Sequence, residues 1–249
     1  MRKLLLSLSL AALSLTAGLL PGNPTPATVL ITANGQNQFL APSFTTRVLG
    51  QDTVYDFTAS SAFQGVAFNL FGTLNPDPWL DWTIEVTSLN QVGFTPISVS
   101  LSFGTIGGPY NTLTSSFSGT LKDIQGNGGG FTSMSHTPFL NLVNQDSLIQ
   151  GTDCAILGAS TPNQVHSCGA FGPLSTTVST NATPTLGFTL SGNLVYNDTV
   201  TYTGLLTLEN QTEGGGGDNG GGGSEVPEPS TILLSAIGIT ALALTRSRN

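Results

Sequence analysis

Ile97-Ser-Val-Ser-Leu-Ser-Phe103 places an apolar side chain at every second position and a serine at each position between them. Successive side chains of an extended chain point to opposite faces, so this stretch is expected to be a strand with one face buried and one face wet. Val200-Thr-Tyr-Thr-Gly-Leu205 keeps part of the same alternation. Further short runs of β-forming residues recur at 53–58, 65–71, 82–87, 117–121, 186–195 and 199–208, punctuated by Gly, Asn and Pro. No window of comparable length carries a helical stripe, and no fixed period points to a solenoid or propeller. The expected fold is all-β, an antiparallel β-sandwich that is jelly-roll-like, with its strand order left open.

The two ends of the 249-residue chain are built differently from the middle. Met1-Arg2-Lys3 is a cationic start, Leu4 to Leu20 is apolar apart from small residues, and Pro21, Pro24 and Pro26 stop any helix. That is the layout of a secretory signal peptide, assigned to residues 1–27. The β-sandwich domain is expected over 28–213, and the glycine run over 214–225 reads as a flexible linker. Ile232 to Leu244 is apolar again and is followed by Arg246 and Arg248, cations that should stay on the cytoplasmic side. A helix of about 15 residues covers roughly 22 Å against a hydrocarbon core of roughly 30 Å, which suits a temporary anchor.

Between linker and apolar segment stands Val226-Pro227-Glu228-Pro229-Ser230. Pro227-Glu228-Pro229, a short apolar helix and an Arg-containing end, in that order, resemble the PEP-CTERM sorting domain over 226–249. The resemblance implies a sorting signal processed near the triplet by an exosortase-like membrane protease, in Gram-negative bacteria that make exopolysaccharide. The expected partners are then Sec-type export machinery, signal peptidase, that protease, the inner membrane and exopolysaccharide. The expected address is the inner membrane in passing, and afterwards the cell surface or extracellular matrix.

Charge excludes one class. Eleven acidic residues from Asp52 to Glu213 face only Arg47 and Lys122, and nucleic acid binding needs clustered cations. Charged residues make up 8% of the chain, against roughly a quarter in ordinary globular domains, which is unlike a cytosolic enzyme. Cys154 and Cys168 in an exported chain are expected to form a disulfide. With His136 and His166 they are formally a Cys₂His₂ set, but the spacing lacks the rhythm of zinc sites.

Asp77, Asp81 and Glu85 form the densest acidic stretch. On one strand Asp81 and Glu85 would lie roughly 13 Å apart, too far for either glycosidase geometry. Asp77 and Asp81 alone supply too few oxygens for Ca²⁺. Trp79 and Trp82 are candidate glycan contacts, with core packing as the competing reading. No catalytic set, cofactor or metal is expected. The functional expectation is an exported surface or matrix protein without catalytic activity; the alternative is a carbohydrate-binding module, and the outsider a polysaccharide-active enzyme.

Overall fold

The computed structural model describes residues 27–210, apart from 51, 76–77, 91–92, 106–107, 152, 157, 159 and 181–183. The expected signal peptide up to residue 26, the glycine run, the expected sorting tail with Pro227-Glu228-Pro229, Arg246 and Arg248, and Asp77 therefore lie outside the described residues. No helix among the described residues is long and apolar enough to cross a membrane.

The alternating segments become strands of two antiparallel sheets. In chain order these are β1 (Thr28–Ala33), β2 (Gln36–Leu40), β3 (Ser43–Leu49), β4 (Asp52–Phe63), β5 (Val66–Asn75), β6 (Trp79–Ser88) and β7 (Phe94–Gly104). They are followed by β8 (Tyr110–Asp123), β9 (Gly129–Leu140), β10 (Val143–Asn144), β11 (Cys154–Ile156), β12 (Gln164–Thr180), β13 (Thr185–Val195) and β14 (Asp198–Glu209). One sheet runs β10-β9-β13-β7-β1-β2, with β11 also on β9; the other runs β12-β8-β14-β6-β5-β4-β3.

Each of the seven runs read from the sequence lies within or largely overlaps a strand, and each strand is longer than its run. Ile97–Phe103, for example, is the centre of β7, where Ile97, Val99, Leu101 and Phe103 are buried. The same parity holds along β6 and β14, where buried and less buried residues alternate throughout. The buried faces of the two sheets meet in one apolar layer containing Trp82, Phe117, Phe131, Phe188 and Tyr202.

Large rings on that inner face are accommodated by glycines on neighbouring strands. Gly204 is opposite both Trp82 on β6 and Phe117 on β8, and Gly119 is opposite Tyr202. A Cβ at Gly204 would overlap the Trp82 indole and come 2.8 Å from Phe117 Cβ, and one at Gly119 would overlap the Tyr202 ring. Glycine in mid-strand ordinarily weakens a sheet. Here it makes the room that lets these rings lie within the interior.

The sheet edges differ in kind. β12 is long but slips register at Ser167/Gly169, Phe171/Leu174 and Thr177/Thr180 and contains Pro173. β10 has 2 residues, β11 has 3 and β2 has 5. β3 has 7 residues in unbroken register with β4, from Ser43 opposite Thr58 to Leu49 opposite Asp52, and every one of them is exposed.

Candidate functional site

Trp79 and Trp82 do not share a face. They are an odd number of residues apart on β6, so Trp82 points inward and is fully buried while Trp79 points outward and is half-buried. Trp82 stacks on Phe188, with ring centroids 4.2 Å apart, and on His136 across the sandwich at 5.4 Å. A common stacking platform made of both tryptophans is excluded by this geometry, and Trp82 is a core residue.

His136 is enclosed by Trp82, Phe117 and Phe188 and has no exposed surface. Neither of its ring nitrogens has a hydrogen-bond partner among the described residues, and the same holds for Trp82 Nε1 and the Tyr202 hydroxyl. Burial lowers the His136 pKa to about 3 and raises that of the Tyr202 hydroxyl. The imidazole is therefore neutral, a flat ring that fills space. His166 lies far along the chain on exposed β12, and Cys154 and Cys168 are bonded to each other, so the formal Cys₂His₂ set is not available to zinc. The disulfide links β11 to β12 across 14 positions of sequence.

The outer face of the β12-to-β3 sheet carries hydroxyls, amides and a few acids in register. Thr83 pairs with Thr203 at 3.0 Å, Thr87 with Thr199 at 2.8 Å, and Thr114 with Ser175 at 2.8 Å, each across adjacent strands. Between β4, β5 and β6 a shallow depression is lined by Thr58, Ser60, Asn69, Phe71 and Glu85, with the Asn69 amide donating to Glu85 at 3.3 Å. Phe71 is 47% exposed beside it.

One rung further along, Asp56, Thr73 and Asp81 are aligned on three neighbouring strands. Thr73 donates to Asp56 at 2.6 Å and the Arg47 guanidinium donates to it at 2.8 Å. The Thr73 hydroxyl is the larger influence holding the Asp56 carboxyl below its usual range; burial opposes it and Arg47 adds to it. Burial pushes Asp81 the other way, and a backbone hydrogen bond from Trp82 only partly offsets this. Sequence spacing gave no hint of this alignment, because the 24 residues between Asp56 and Asp81 contain two strand reversals whose register is set by pairing.

Two strand steps of about 4.8 Å separate the Asp56 and Asp81 backbones by about 9.6 Å, near the upper limit for inverting glycosidases. Asp56 is nevertheless a poor base: one oxygen accepts from Thr73, the other from Arg47, and its proton affinity is depressed. Asp81 and Glu85 stand on the same outer face of β6, four residues apart, about 13 Å along the strand.

At one end of the sandwich Asp123 and Asp198 are directly opposite on β8 and β14, both without exposed surface. Burial raises the Asp123 pKa, but donors outweigh it: Ser160 Oγ at 2.6 Å, then the backbone N–H groups of Gly126 at 2.7 Å and Gly128 at 2.8 Å. Asp198 accepts from the backbone N–H of Gly130 at 3.2 Å and from that of Ile124, and its Oδ1 has no partner among the described residues. Burial, with the Asp123 charge adding to it, raises Asp198 to about 6. Donors fill Asp123 and suit an anion, so the pair is a structural fastening for the loop at 124–128 and does not resemble a cation cage.

No protein-family model matches this chain, and no curated protein matches it. The functional reading consequently rests on the residues themselves. The outer sheet face places exposed Phe71 beside Asn69 and Glu85, and Trp79 stands on the same face four residues along β6 from Thr83, the partner of Phe71.

Proposed function

We propose that this chain is an exported, non-catalytic surface or extracellular-matrix protein, sorted by its PEP-CTERM-like tail and associated with exopolysaccharide. The observation that carries the reading is the Cys154–Cys168 disulfide, since such bonds persist in oxidising compartments and the chain opens with a signal-peptide layout. The jelly-roll-like sandwich would serve as a compact, weakly charged body. In a host with the processing enzyme, the mature protein should lack the residues after about Ser230, and Glu228→Ala should retain them. Mass spectrometry of C-terminal peptides reads this directly. An intact Asn249 terminus on mature wild-type protein would show that the tail is a plain anchor.

The outer face favours a second reading, a carbohydrate-binding module. Phe71 and half-buried Trp79 offer apolar faces, and the Thr, Ser and Asn side chains offer matched donors and acceptors. Glycan-array binding by the wild type that is lost in Phe71→Ala or Trp79→Ala favours this module. Turnover of a polysaccharide, abolished by Asp81→Asn, favours the enzyme. Absence of both leaves the matrix protein.

A further inference from the structure

Three of the four sheet boundaries discourage another strand from adding. A strand edge is a row of unpaired N–H and C=O groups, and folded proteins blunt such rows with bulges, prolines, charges or brevity. β12 has its bulges and Pro173, β10 and β11 are very short, and β2 is only 5 residues long. β3, Ser43-Phe-Thr-Thr-Arg-Val-Leu49, has no Gly, no Pro and no register shift. Its single charge, Arg47, is already held by Asp56 at 2.8 Å. On the inward side Phe44 packs on Phe57 with ring centroids 6.4 Å apart but remains 36% exposed, and Val48 is 74% exposed.

We propose that β3 is an interface strand whose occupant is β3 of a second copy of this chain, paired antiparallel about a twofold axis at Thr46. The sequence of the strand is self-complementary in that register and in no neighbouring one. Residues opposite each other in an antiparallel pair point to the same face, so a sheet continuing across both copies requires partners whose numbers sum to an even value. With the axis at Thr46, Phe44 faces the second copy's Val48 on the inward side. Arg47 then faces the second copy's Thr45 on the outward side, without charge conflict. An axis at Arg47 would oppose two guanidinium groups, and an axis at Thr45 would set Phe44 against Thr46 and leave Val48 unmatched. Because the contact is isologous it closes on itself and ends at two chains. The inference stands on the sheet edge and does not depend on the proposed address of the protein.

The test is a register-specific cross-link in the purified full chain. Both native cysteines are tied up in the disulfide, so Thr46→Cys introduces the single free thiol. Opposite residues in an antiparallel pair have Cα atoms about 4.5 to 5.5 Å apart, within the span a disulfide bridges. Under copper–phenanthroline oxidation, Thr46→Cys should run mostly at twice the monomer mass on a non-reducing gel and return to the monomer with reductant. Ser43→Cys, equally exposed on the same strand, places the two thiols about 20 Å apart and should cross-link at least tenfold less. Adding Val48→Lys to Thr46→Cys should also reduce the cross-link at least tenfold. A Thr46→Cys chain that stays monomeric overturns the proposal, as it would if β3 were covered by another segment or another protein. Equal cross-linking at Ser43 and Thr46, the mark of random collision, overturns it too.

Discussion

His136 lies nearly parallel to Trp82 across the sandwich, with planes 15° apart, and is held without a hydrogen bond to either ring nitrogen among the described residues. An imidazole in this setting can exist only uncharged, and that makes it a source of acid sensitivity. The unfolded chain takes up this proton near pH 6.5, the folded chain only near pH 3. The contribution to stability is complete above pH 6.5 and is lost progressively as the pH falls towards 3. By pH 4 the loss is on the order of 3 kcal/mol. His136→Phe should remove it, so that urea titrations at pH 7 and pH 4 show wild type losing about 3 kcal/mol more than the variant. Identical losses would rule out this residue as the origin.

Asp198 works with the opposite sign. Its folded pKa is raised to about 6, above the ordinary value, so its favourable contribution is present below about pH 4 and is lost as the pH rises through 6. At neutral pH the ionised carboxylate sits opposite Asp123, with its Oδ1 unpartnered among the described residues. Asp198→Asn should therefore raise stability at pH 7.5 by roughly 1 kcal/mol and leave it nearly unchanged at pH 4.5. Thermal unfolding at the two pH values distinguishes this from a general packing effect, which would appear equally at both.

The link between Cys154 and Cys168 closes a loop of 14 positions. On the chain-entropy account, replacing both cysteines with serine should cost about 3 kcal/mol, and reductant should lower the unfolding midpoint of wild type but not of the double variant. A midpoint indifferent to reductant in the wild type would contradict it.

Gly204 and Gly119 should each resist enlargement. Gly204→Ala drives a methyl group into the Trp82 ring, and Gly119→Ala drives one into the Tyr202 ring. Each should destabilise by about 1–3 kcal/mol, with a matching fall in the denaturant midpoint. Trp82→Ala should cost about 3–5 kcal/mol as a buried aromatic truncation. Trp79→Ala should leave stability nearly unaltered, which makes it the cleaner probe of ligand binding.

The strands that bury one face and wet the other were legible in the sequence because alternation survives any strand order. β7 and part of β14 are the clearest cases, while the opposite faces of Trp79 and Trp82 emerge only once β6 extends back to Trp79. β9 and β12 were missed: Gly129, Gly130 and Pro138 interrupt the first, and Gly169, Gly172 and Pro173 interrupt the second. β3 escaped because a strand exposed on both faces has no reason to alternate. The alignment of Asp56, Thr73 and Asp81, like the opposition of Asp123 to Asp198, depends on which strands are neighbours, and alternation does not encode that. The Cys154–Cys168 bond was readable from the spacing together with the expectation of export.

β13 lies between β9 and β7, and β14 between β8 and β6, so the last two described strands in chain order are internal to their sheets. Neither layer can be completed while the ribosome is still working upstream of Thr185. A chain emerging from it therefore has half-sheets but no finished interior. Folding becomes decisive only when Glu209 has been delivered, so a truncation before Thr185 should remove cooperativity from the whole domain and not merely one edge of it.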